Sequence, residues 1–164
     1  MLSSTNNKPI ASLGDLLPNL REGSGSTGRS LAGVQMHVSV PLGAPLLVDG
    51  ATYKHALFVA PVDGCYILEG WVANAVAIAG GTNTLAFDNY DASANSARNV
   101  LSTTNIDPTA ITANEGLKLT LSTTEANRLM DEGDVLNATL VCGTMSTDGQ
   151  GFTAHFVIIV PDIA

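Results

Sequence analysis

The sequence predicts an all-β chain: a jelly-roll β-sandwich of about eight antiparallel strands behind an extended N-terminal arm. Three observations predict it. Apolar residues recur with a period of two in one segment after another from Val34 onward. Turns rich in Gly, Pro, Asn and Asp separate those segments. No long stretch carries the 3.6-residue period of an amphipathic helix. Strands of this number and spacing make a sandwich or barrel.

The elements follow in order. Val34, Met36, Val38 and Val40 alternate with Gln35, His37 and Ser39, the pattern of a half-buried strand. Tyr53 to Ala60 forms the next strand and enters a turn at Pro61-Val-Asp-Gly64. Cys65 to Ile78 reads as one long strand with Tyr66, Leu68, Val72, Val76 and Ile78 on one face. Gly80-Gly81 turns the chain, and Asn83 to Asp88 returns with Leu85 and Phe87 on one face. Leu117, Leu119 and Leu121 alternate with Lys118 and Thr120. Asp134 to Cys142 aligns Leu136, Ala138, Leu140 and Cys142. In the last strand Phe152, Ala154, Phe156, Ile158 and Val160 lie opposite Thr153 and His155. The single helical signal is Ser122-Thr-Thr-Glu125, the spacing of a capping box, with Arg128, Leu129 and Met130 completing a turn or two before Gly133.

The last strand carries Val157, Ile158, Ile159 and Val160 in succession. A strand apolar on both faces is covered on both faces, by a loop, by the arm or by another subunit. Trp71, the sole tryptophan, lies mid-strand beside Val72 and suits a core or a subunit contact. Trp71, Val157 and Ile159 are therefore the candidate oligomer interface.

Residues 1–33 differ in texture from the sandwich of residues 34–164. They are rich in Ser, Asn and Gly and show no sustained period. Gly23 to Gly28 reads as a flexible hinge. Within the arm, Leu13, Leu16, Leu17 and Leu20 form an apolar patch that a solvated tail has no physical reason to carry, and they are the candidate docking residues.

Composition excludes several functions. Charged residues make up 13% of the chain, against about 25% for an average soluble domain. The surface must then be covered by small uncharged residues, which suits packing into an assembly. The net charge is −8 and there is no basic run, so neither nucleic acid nor an anionic membrane is an expected partner. The most apolar run, Trp71 to Ala79, is too short to span a bilayer. The N-terminus lacks the basic and apolar regions of a secretory signal, and folding in the cytoplasm of the producing cell is expected.

Motifs for chemistry are absent. His37, His55 and His155 are scattered, with no His-x-His pair, and read as structural or solvated. There is no HExxH, no Cys-x-x-Cys and no Walker-type loop; Gly23-Ser-Gly-Ser-Thr-Gly28 has neither the strand before it nor the helix after it that a phosphate cradle needs. The acidic loop Asp88 to Asn95 lacks the central Gly and closing Glu of a calcium loop and reads as a polar turn. Cys65 and Cys142 sit in apolar runs and read as buried thiols. No catalytic residue, cofactor or metal is expected, and the chain is not expected to be an enzyme.

Three segments carry a resemblance. Phe58-Val-Ala-Pro61-Val-Asp-Gly64-Cys-Tyr66, Gly133-Asp134-Val-Leu136 and the closing strand from Phe152 to Val160 resemble the trimeric jelly rolls of the C1q and tumour-necrosis-factor type, over residues 53 to 160. With its glycine-rich arm, low charge and abundant Ala, Thr and Asn, the whole chain is similar to small decoration (cement) and head-fibre proteins of tailed bacteriophages. That resemblance implies a homotrimer on the outer capsid surface of a virion, made in the host cytoplasm and seated on the major capsid protein. The alternative it leaves open is a receptor- or glycan-binding jelly roll of a viral fibre.

Overall fold

The computed structural model describes residues 33–161. The expected arm, with Leu13, Leu16, Leu17 and Leu20, lies outside the described residues except for Gly33, which opens the first strand.

Nine strands form among the described residues: β1 (Gly33–Pro41), β2 (Thr52–Val59), β3 (Cys65–Ala73), β4 (Thr84–Asp91), β5 (Ser96–Asn99), β6 (Gly116–Lys118), β7 (Leu129–Met130), β8 (Val135–Val141) and β9 (Thr153–Pro161). One sheet has the order β1-β9-β3-β6, with β7 also pairing with β3; the other has the order β2-β8-β4-β5. Every pairing is antiparallel. The chain alternates between the sheets from β1 to β4, and its last strand inserts between the first and the third. This is the winding of a jelly roll, and the expected all-β sandwich holds.

The period of two decides which side chains meet between the sheets. Leu85 and Phe87 on β4, Leu136, Ala138 and Leu140 on β8, and Ala154, Phe156 and Ile158 on β9 all point inward and are buried. Phe87 and Phe156 join the sheets edge to face, with ring centroids 5.1 Å apart at 70°, a geometry that adds about 0.5–1.5 kcal/mol to the burial itself. Gly70 on β3 makes room for this pair: a Cβ there would stand 2.6 Å from the Phe156 ring.

Two expectations are corrected. The long strand from Cys65 to Ile78 stops at Ala73, and a bulge between Ile67 and Glu69 inserts one extra residue. The bulge reverses the facing, so Cys65, Ile67, Gly70 and Val72 point inward while Tyr66 and Leu68 are half-buried. Beyond β3 the buried Asn74 takes over, its amide donating to the Ile111 carbonyl at 3.3 Å. The expected helix after Ser122 is a single 3₁₀ turn, Glu125–Asn127. The Ser122 hydroxyl accepts from the Thr124 amide at 3.2 Å and the Asn127 side chain at 3.0 Å, closing a local turn instead of capping a helix. Leu129 and Met130 then pair with Tyr66 and Cys65 as β7, so the sheet claims the residues a helix would have used. Strand β5 follows the acidic turn and was not expected.

Phe156→Ala removes the ring that joins the two sheets. It is expected to lower the unfolding free energy by about 3–5 kcal/mol in urea titration; a loss under about 1 kcal/mol would contradict this position for the ring.

Candidate functional site

The outward face of the five-stranded sheet brings together Trp71, Tyr66, His37 and His155. Register sets the rows. Across one row stand Ser39 on β1, His155 on β9, Trp71 on β3 and Lys118 on β6. Across the next stand His37, Val157 and Glu69, and across the third Gln35, Ile159, Tyr66 and Leu129.

Neighbouring rows interlock. The Trp71 ring lies 5.7 Å from His155, centroid to centroid, and the Lys118 ammonium sits 5.4 Å from the Trp71 ring centre. Lys118 also reaches Glu69 at 3.3 Å. His155 and His37 have ring centroids 5.5 Å apart, with His37 Nδ1 and His155 Nε2 at 3.4 Å. The Arg128 guanidinium lies 4.8 Å from the Tyr66 ring; burial pushes the Tyr66 phenol up, and Arg128 opposes that.

The three expected interface residues, Trp71, Val157 and Ile159, do share this face. Their exposure differs. Val157 and Ile159 are 6% and 3% exposed within one chain, while Trp71 is half-buried. The central position of β9 explains this: each of the two aliphatic side chains has a longer side chain beside it on both flanking strands. The two residues therefore form an apolar floor, and the rings around them form the accessible surface.

The juxtaposition of His37 and His155 was missed from sequence, where the two lie 118 positions apart. The usable signal was that both occupy polar-face positions of the first and last strands, which this winding makes neighbours. His55 has a separate, structural role: its Nε2 accepts from the Gly43 amide at 2.8 Å.

An open cleft of about 480 Å³ borders the same sheet, lined in part by Leu68, Glu69, Lys118 and Arg128. Its Glu69 and Lys118 are already paired with each other.

Five aspartates elsewhere hold loops. Asp134 accepts from the Ala92 amide at 3.0 Å and the Asp131 amide at 3.1 Å. Asp49 accepts from Met145, Asp63 from Glu132 and Asp107 from Thr109, each through a backbone amide. Asp91 accepts from the Ala94 amide at 2.8 Å and the Ser93 hydroxyl at 2.7 Å, and pairs with Arg98. The Ala94 amide first, then the Ser93 hydroxyl and Arg98, hold its carboxyl below the usual carboxylate range. This fixes the turn between β4 and β5, the segment the sequence reads as a polar turn. Cys65 and Cys142 are buried and unpaired, and burial pushes both thiols up. Among the described residues no group of three or more His, Cys, Asp or Glu is placed to hold a metal ion.

No protein-family model matches this sequence, and no curated protein matches it. A solved structure that superposes on it is the cyanophage Pam1 capsid asymmetric unit. The match has 16% sequence identity over 84% of this chain and 93% of that chain, with a TM-score of 0.47. A superposition this loose assigns neither fold nor role.

Asp91 gives a pH prediction. Its carboxylate is favoured in the folded state, so the stability it contributes is complete at neutral pH and is lost as pH falls through the lowered folded value. Asp91→Asn is expected to be less stable than the parent at pH 7 and to lose less on acidification below pH ~4. Urea melts across pH check this, and parallel curves for the two proteins would contradict it.

Proposed function

We propose that this chain is a structural virion protein: a homotrimeric decoration or cement protein on the outer capsid surface, bound to the major capsid protein. In this reading residues 1–33 attach it, through Leu13, Leu16, Leu17 and Leu20, and the sandwich is the self-associating body.

The observation that carries the self-association is the outward face of the five-stranded sheet. An antiparallel sheet facing water turns polar side chains outward. This one turns out Trp71 and Tyr66 over the apolar floor of Val157 and Ile159. Aromatic groups are enriched in the cores of subunit interfaces, where they bury large areas at low entropic cost. The opposite broad face, on the β2-β8-β4-β5 sheet, supports a second contact. Ala56, Asn137, Thr139 and Ala86 lie at outward positions there, and its central strands bring few charges. Placement on a virion rests on the likeness of the whole chain to phage decoration and head-fibre proteins.

Trp71 also favours a second reading, a glycan- or receptor-binding module of a fibre. A half-exposed indole on a sheet face is a stacking platform for a sugar ring. A glycan array separates the two, since a cement protein binds none of its glycans.

Native mass spectrometry is expected to find three 16.9 kDa chains together at micromolar concentration. Trp71→Glu is expected to give a folded monomer. A parent protein that stays monomeric would contradict the self-association. Removal of residues 1–32 is expected to abolish capsid binding while leaving the trimer; capsid binding without them would contradict the attachment role.

A further inference from the structure

We propose that His37 and His155 form a two-point chelating site for a divalent transition-metal ion of the copper, nickel or zinc type, which staples the edge strand β1 to the central strand β9.

The geometry fits such an ion. Two imidazole nitrogens bound to one ion at about 2.0–2.1 Å lie about 2.9–3.4 Å apart, from square-planar to tetrahedral angles. His37 Nδ1 and His155 Nε2 are 3.4 Å apart and oriented as hydrogen-bond partners, so a lone pair of one already points at the other. A small turn of the rings brings both lone pairs to an ion beside the N···N line, and the bridging proton passes through water to the other nitrogen of the ring that carried it. His37 then ligates through Nδ1 with its proton on Nε2, and His155 through Nε2 with its proton on Nδ1. The two rings supply two ligands, and solvent supplies the rest on this open face. Glu69 and Lys118 stand on the far side of Val157 and Trp71 and are paired with each other.

The placement gives the site a purpose. Among the described residues β1 is an edge strand, and its inward side chains loosen toward its start: Val34 is 62% exposed and Met36 40%, while the β9 partner of Met36, Ile158, is fully buried. The segment leads directly into residues 1–32. An ion held by both strands binds only when they are paired, so it stabilises the native pairing in proportion to its concentration. It thereby fixes the strand from which the N-terminal segment departs. Both ligands belong to one chain, so the site forms within each copy; it shares the face proposed for self-association, and native mass read in the presence of a chelator shows whether the trimer depends on the ion.

Trp71 reports the ion directly, because it is the sole tryptophan and packs against His155. Titration of the full chain with Cu²⁺ is expected to quench its fluorescence saturably at micromolar concentration. Excess diamagnetic Zn²⁺ is expected to restore it. His37→Gln, on an exposed edge-strand position, is expected to fold normally and to move half-quenching upward by about tenfold or more, since loss of even an outer-shell partner costs about 10–100-fold. His55→Gln, whose amide oxygen can still accept from Gly43, is expected to leave the titration unchanged. Electron paramagnetic resonance of the Cu²⁺ form is expected to show two imidazole nitrogens. Quenching that does not saturate, or that His37→Gln leaves unaltered, would overturn the proposal.

Discussion

The structure depends on one strand being insoluble on both sides. β9 carries Phe156 and Ile158 on one face and Val157 and Ile159 on the other, and all four are buried. Such a strand cannot lie at an edge, where one flank of its backbone and one row of its side chains would meet water. It is stable only in the middle of a sheet with large neighbours on both flanks. The chain's last strand must therefore return between its first and third strands, and that return creates the jelly-roll order. Its inner face then meets the second sheet through Phe156 and Phe87, with Gly70 giving the ring its space.

What remains outside the core is unevenly distributed. Carboxylates are drawn into the loops, where Asp49, Asp63, Asp91, Asp107 and Asp134 satisfy backbone amides that the turns leave without partners. This keeps the backbone groups of those turns bonded. Trp71, Tyr66, His37 and His155 collect instead on one sheet face, around the floor that β9 provides.

Much of this was legible in the sequence, for a physical reason. Alternation along β4, β8 and β9 follows from the pleat, and Leu85, Phe87, Leu136 and Phe156 point where the period of two sends them. The shared face of Trp71, Val157 and Ile159 rests on a register that the period does not contain. The bulge at Leu68 was invisible, because one inserted residue leaves no mark in composition yet reverses every facing before it. The helix expected after Ser122 failed because local capping chemistry lost to strand pairing by Leu129 and Met130. The His37 and His155 pair could be read only after the first and last strands were known to be neighbours.

Amide hydrogen exchange tests the central place of β9 most directly. Its amides from Phe156 to Ile159 are expected to be the slowest in the chain, exchanging only through global unfolding, with those of the edge strand β1 exchanging earlier through local opening. Exchange of the β9 amides as fast as those of β1, under conditions where β4 and β8 remain protected, would contradict the architecture derived from it.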